Sequence, residues 1–151
     1  MSRKFSSLVD IYDFFLDGGT LASLTNLTLE DLNDLDSYAY TAYQSGDVIT
    51  ARNLFLLLTY LEHWNYDYTL SLGLCHQRLS NHEDAQLCFA RCATLVMQDP
   101  RASYYSGISY LLVGNKKMAK KAFKACLMWC NEKEKYTTYK ENIKKLLGNT
   151  E

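Results

Sequence analysis

Small and apolar positions recur along this chain at a fixed interval. Ala51, Ala85 and Ala119 stand 34 residues apart, and Phe55, Phe89 and Phe123 repeat that step four positions later. The same interval relates Ala39, Gly73 and Gly107, and then Leu58, Cys92 and Cys126. Four residues is one helical neighbour, so each alanine and its phenylalanine share one face of a helix. The small residue at 39, 73 or 107 falls on a preceding helix that must approach the first closely. The pattern therefore predicts three copies of a helix pair.

Between the helices of each pair lie Gly46, Ser80 and Gly114, with Asn81 and Asn115 following the last two. Glycine takes a left-handed backbone freely, and serine and asparagine tolerate turn geometry. Such a unit, at this period, is the tetratricopeptide repeat. Its expected bounds are residues 32–65, 66–99 and 100–133. Asp99 before Pro100 predicts the N-cap and first turn of the third copy, and Asn65 caps the second. Thr28, with Glu30 and Asp31 behind it, opens the long helix that leads into the first. Residues 134–147 place Tyr136, Tyr139, Ile143, Leu146 and Leu147 at helical spacing. They predict a closing helix, since the last unit of a stack otherwise exposes an apolar face. Gly148 ends it.

The N-terminal segment, 5–31, carries a stripe of Phe5, Leu8, Tyr12 and Phe15, widened by Ile11 and Phe14 and stopped at Gly18-Gly19. Its apolar surface exceeds what one packing face needs. Two outcomes follow: a helix docked on the repeats, or a homodimer contact through residues 5–17. The expected fold is all-α, a tetratricopeptide-repeat superhelix within a single domain spanning 1–151.

Composition narrows the picture further. One proline and seven glycines are too few to punctuate a many-stranded β fold, while 48% hydrophobic and 22% charged residues suit a packed helical core. The longest apolar run, Leu54 to Leu58 with Tyr60 and Leu61 beyond Thr59, is far short of a membrane span, so no membrane insertion is expected. Arg3 and Lys4 lead into an interrupted acidic segment instead of a secretory leader. Five cysteines, an odd number, then read as reduced thiols, and the expected location is cytoplasmic. Residues 1–75 hold ten acids and three bases; residues 76–151 hold seven acids and thirteen bases. A net of −7 facing +6 can steer a partner, less so in salt.

In a superhelix of helix pairs the first helices line the inner face. The register places Asp36, Tyr40, Tyr43 and Gln44 there in the first copy. Asp67, Leu70, Leu74, Gln77 and Arg78 follow in the second, then Arg101, Tyr104, Ile108, Leu111 and Leu112 in the third. An apolar, aromatic groove with a few polar groups suits an extended peptide. Some of these residues can instead pack between helices. Capture of a C-terminal carboxylate needs lysine, arginine and asparagine along the groove, where Asp36, Tyr40, Leu70 and Leu74 stand.

Other chemistries fall away. Cys88/Cys92 and Cys126/Cys130 have a spacing that can hold zinc, but Cys92 and Cys126 occupy the small-residue column and read as buried apolar groups. His82-Glu83-Asp84-Ala85-Gln86 lacks the second histidine of a zinc-protease helix. No glycine-rich phosphate loop or nucleophile elbow is present. An enzyme, a metal and a cofactor are therefore not expected. Lys116, Lys117, Lys120, Lys121 and Lys124 crowd one outward helix without interleaved aromatics, which reads as a solvated face and not a nucleic-acid site.

The run Ser37-Tyr38-Ala39-Tyr40-Thr41-Ala42-Tyr43-Gln44-Ser45-Gly46, preceded by Gly18-Gly19-Thr20-Leu21, resembles the class II type III secretion chaperones (the SycD/LcrH/IpgC family). So does Leu61-Glu62-His63-Trp64-Asn65-Tyr66-Asp67 with Leu72-Gly73-Leu74. The likeness extends from residue 5 to about residue 147. It implies a bacterial cytoplasmic chaperone, working near the inner-membrane base of the secretion apparatus. Such a chaperone keeps hydrophobic translocator proteins soluble by holding an extended N-terminal segment in the concave groove. By position, Tyr40, Tyr43, His63, Leu70 and Leu74 match groove residues, and Asp36 departs by standing where relatives often carry an aromatic. A non-chaperone scaffold and a transcriptional co-regulator in the secretion system remain alternatives.

Overall fold

The computed structural model describes residues 5–130 and 134–148. Within them the elements are α1 (Leu8–Leu16), a 3-10 turn (Ala22–Leu24), α2 (Leu29–Ser45), α3 (Val48–Leu61), α4 (Tyr66–Arg78) and α5 (His82–Leu95). Then come α6 (Pro100–Leu112), α7 (Lys116–Cys130), a second 3-10 turn (Glu134–Tyr136) and α8 (Thr137–Gly148). Every element among the described residues is helical. The last residues assigned to the third repeat, 131–133, lie outside the described residues.

Caps fall where the side chains can make them. Thr28 and Asp31 form a reciprocal box, with Asp31 N–H on Thr28 Oγ1 at 3.1 Å and Thr28 N–H on Asp31 Oδ2 at 2.7 Å. Asn65 Oδ1 accepts from Tyr68 N–H at 3.0 Å, and Asp99 Oδ1 from Arg101 N–H at 3.0 Å behind Pro100. The three turns within pairs share a left-handed residue: Gly46 at φ +92°, Ser80 at +63° and Gly114 at +76°. At the second turn Asn81 N–H reaches His76 O at 2.9 Å and Ser80 N–H reaches Gln77 O at 3.0 Å. That pair of bonds satisfies carbonyls the helix end leaves open, and it holds a serine where glycine is usual.

The repeat columns become the core. Ala39, Ala51, Phe55, Leu58, Ala85, Phe89, Cys92, Ala119, Phe123 and Cys126 are all 2% exposed or less. Columns meet across each pair: a Cβ on Gly73 would lie 2.7 Å from the Phe89 ring, and one on Gly107 2.4 Å from the Phe123 ring. Glycine is needed there because the aromatic ring of the second helix rests on the backbone of the first. The cysteine pairs sit in this core too, with Cys126 Sγ 3.8 Å from Cys130 Sγ and both residues fully buried. Contacts run almost wholly between helices adjacent in the chain, α2 with α3 through α7 with α8. Ile143 and Tyr136 seal the exposed side of α7, so the closing helix does cover the last repeat.

The N-terminal helix differs from its predicted stripe. Leu8 is 84% exposed and Tyr12 64%, while Phe14, a flanking position of that stripe, is buried. Phe14 lies flat over Gly19, the second glycine of the pair after the helix, and touches Phe5 and Phe15 edge-on at centroid distances of 5.4 and 5.1 Å. The chain reverses at Gly18, φ +89°, and this fold-back selects Phe14 as the docked residue. Leu8, Val9, Tyr12 and Leu16 are left as an uncovered apolar face.

Candidate functional site

Two first helices and one second helix enclose a small cavity on the inner side of the stack. Tyr40 and Tyr43 of α2, Ser71 and Leu74 of α4 and Phe55 of α3 surround about 70 Å³. The wall forms because Tyr40 and Tyr43 project from one side of α2, three residues being close to one turn. Tyr40 is 59% exposed, whereas Tyr43 and Leu74 are half-buried. Arg78, one turn after Leu74, lies over the Tyr43 ring at 4.9 Å and donates from Nη1 to Tyr43 O at 2.8 Å. That clamp holds the tyrosine in place beside the cavity. Burial raises the Tyr43 phenol's pKa against the opposing pull of Arg78, so it remains a neutral donor near pH 7.

Toward the chain's start the groove is acidic. Burial, and then the nearby charge of Asp67, raises the pKa of Asp36. Asp67 itself is exposed and meets Arg101 Nη1 at 2.9 Å, while Arg101 Nη2 meets Asp99 at 2.9 Å. The guanidinium also lies 4.8 Å over the Tyr66 ring. Asp36 therefore charges reluctantly in the folded chain. A folded pKa above the unfolded one favours folding at low pH, and that contribution is lost as pH rises through the folded value. Asp36→Asn is accordingly expected to raise the melting temperature at pH 7 and to leave it unchanged at pH 3. Melts of both proteins across that interval give the answer, and equal curves at pH 7 would show that the carboxylate carries no penalty.

Several predicted groove positions are engaged within the fold instead. Leu70 is only 5% exposed and packs with Tyr66, Phe89 and Ala102. Gln77 Nε2 donates to Tyr105 O at 2.9 Å and Ser109 Oγ at 2.8 Å, bracing α4 against α6. Tyr104 lies edge-on to Tyr139 of α8 at 4.8 Å, and Ile108 and Leu111 pack on the same α7–α8 core. His63 is on another side altogether. Its ring meets Phe15 at 5.7 Å and Trp64 at 4.7 Å, and its carbonyl accepts from Arg91 of α5. It lines a separate recess with Leu72, Leu87 and Cys88.

The repeat register does not place Phe55 or Ser71 in the groove, yet both line the cavity. Phe55 is a core residue by its column and only 2% exposed, and it nevertheless borders the cavity. Ser71 follows Leu70 directly, in a column with Ser37, Tyr105 and Tyr139 that the 34-residue step also defines. Tyr105 occupies that column in the third repeat, 6.2 Å from Phe89 and 6.5 Å from Tyr139. Among the described residues no group of three or more His, Cys, Asp or Glu side chains is arranged to hold a metal, and no helix is long and apolar enough to cross a membrane.

The chain is similar to several known proteins. The tetratricopeptide-repeat family matches residues 32–65, the bounds read for the first copy. The low calcium response locus protein H of Yersinia pestis is 30% identical over 101 residues, 67% of this chain and 60% of that protein. The match thus spans less than two thirds of that relative's length. A T3SS complex from Aeromonas hydrophila contains a chain that superposes with a TM-score of 0.86 at 25% identity, covering 91% of this chain and 92% of that one. The Yersinia enterocolitica type III secretion chaperone SycD, in complex with a peptide of the translocator YopD, superposes with a TM-score of 0.78 at 22% identity over 83% of this chain and 95% of that one. This chain thus resembles the low calcium response locus protein H in sequence and SycD in fold.

Proposed function

We propose that the chain is a type III secretion chaperone whose concave groove holds an extended N-terminal segment of hydrophobic translocator proteins. The observation that carries this reading is the cavity between Tyr40, Tyr43 and Leu74, open on the inner face of the stacked helices. An extended segment offers alternate side chains to such pockets while its backbone meets the polar rim. Tyrosine anchors add large rigid area at low entropic cost. Tyr40, Tyr43, Leu74 and the exposed Asp67 are then the contact residues. Leu70, Gln77, Tyr104, Ile108 and Leu111 set the curvature of the surface, and His63 stands outside it. Comparison supports the assignment, since SycD has been seen with a YopD peptide. The expected site of action is the bacterial cytoplasm.

Titration of the purified protein with the N-terminal segment of a translocator is the direct test, with micromolar or tighter binding expected. Co-expression should also raise the soluble yield of the full-length translocator. No binding to the segment, together with assembly of folded partners, would instead favour a scaffold.

The uncovered face of α1 supports a homodimer contact through residues 5–17. Leu8, Val9, Tyr12 and Leu16 line up along it, each more than 60% exposed. Sedimentation of a Tyr12→Glu variant should then give the mass of a monomer; an unchanged mass would place any dimer contact elsewhere.

A further inference from the structure

On the outer side of the stack a trough of about 510 Å³ runs between the two second helices α5 and α7. Ala90 and Ala93 of α5, Ala102 of α6 and Ala122 of α7 keep it open, because their short side chains leave the space between the helix backbones unfilled. Leu87, 70% exposed, and Met118 rise at its edges. It shares no lining residue with the inner cavity. From Leu87 to Ala93 the trough extends about 9 Å along α5, or nearly two turns of a helix laid in it.

Two of its polar groups, Gln86 and Ser106, are already spent on each other, which leaves the hydroxyls of Ser103 and Tyr110 and the Lys121 ammonium among the lining. Gln86 Nε2 donates to Ser106 O at 3.0 Å, and Ser106 Oγ donates to Gln86 Oε1 at 2.6 Å. An extended segment entering here would bring more backbone donors and acceptors than these few groups can meet. A helix brings its backbone bonds satisfied. The charge on the rim is one-sided. Lys121 lines the trough, and Lys117 and Lys124 stand one turn to either side of it, all exposed, on a helix that carries no acid. Opposite them α5 offers Glu83 and Asp84 only in its first turn and Arg91 beyond.

We infer that this trough docks an amphipathic helix of a protein partner, apolar on the face that enters and acidic along the edge that meets α7. A second copy of this chain is the poorer occupant, although α1 is itself an acidic helix with an uncovered apolar face. Docking α1 of one copy into the trough of the next gives a ring or an open filament unless two copies exchange it reciprocally, and the dimer contact proposed above already engages α1.

The test uses a lactam-locked helical peptide with leucines on one face and glutamates along one edge, and a twin with lysines in place of the glutamates. Fluorescence anisotropy on the full chain should show the acidic probe bound at least tenfold more tightly than its twin, with the margin shrinking in salt. Lys121→Glu and Ala93→Glu, both at exposed positions, should each weaken it tenfold or more. Lys120→Glu, on the far side of α7, and Leu74→Glu, in the inner cavity, should leave it unchanged. Equal affinity for the twins would overturn the inference, as would loss with Leu74→Glu, which moves the probe to the inner groove. A change in sedimentation of the unliganded protein with Ala93→Glu would reassign the trough to contact between copies.

Discussion

Phe123→Ala is expected to remove about 3–5 kcal/mol of stability, the range for deleting a buried aromatic ring. The ring is fully buried and touches three helices at once. It lies on the backbone of Gly107 in α6, packs beside Tyr104 at 6.2 Å, and joins Cys126, Cys130 and Ile143 under α8. Its neighbours cannot close the void, because Gly107 has no side chain and Ala119 is already in contact. The cost therefore belongs at the upper end of the range. Set against a total of about 5–15 kcal/mol for a domain, this is a large part of the whole. Urea unfolding followed by circular dichroism measures it, and a loss below about 1 kcal/mol would show that the ring does not bear on all three helices. Gly107→Ala alone should also destabilise, by roughly 1–3 kcal/mol of overpacking. Combined with Phe123→Ala it should cost much less than the sum, since the ring it would strike has gone.

Leu74→Glu should weaken binding of a translocator segment by at least about 100-fold, or roughly 2.7 kcal/mol, while leaving the helices intact. Glutamate suits a helix interior, and Leu74 is only half-buried, so α4 itself is little disturbed. The binding surface is another matter. A carboxylate among Tyr40, Tyr43 and Phe55 loses its water when a segment covers it, and a buried charge without a partner costs several kcal/mol. Arg78 lies one turn on and can turn toward it, but only by leaving the Tyr43 carbonyl and ring that it now holds. Either response spoils the pocket. Calorimetric titration of wild type and variant with the same segment decides the matter. Unchanged affinity would place the segment away from this cavity.

Periodicity foretold the fold closely. The alanine and phenylalanine columns gave the helix pairs, and Thr28, Asn65 and Asp99 placed three helix starts where they are found. These are local signals, each carried by residues that act within a turn or two of themselves. The groove was harder to read because the register says which way a side chain leaves its helix and not what stands in front of it. Leu74 faces open space, whereas Leu70, one turn earlier on the same helix, meets Tyr66, Phe89 and Ala102. Tyr104 and Ile108 have the right direction, but α8 arrives from 30 or more residues along the chain and Tyr139 covers them. The N-terminal stripe failed for a related reason. Its amphipathic pattern treated six apolar residues alike, and only the fold-back at Gly18 distinguished Phe14 from Leu8.

Contacts that run mainly between neighbouring helices also bear on an order in time. Chains dominated by local contacts fold in microseconds to milliseconds, and a chain under synthesis emerges from its N-terminus at about 5–20 residues per second. Docking of one pair on the last is thus fast against the making of the next, although a lone pair still leaves its apolar face open. The residues around the inner cavity, from Tyr40 to Leu74, all belong to the first half of the sequence. Those of the outer trough, from Gln86 to Ala122, follow later. Every residue of the inner surface has been made while the ribosome is still assembling the helix that carries the lysines.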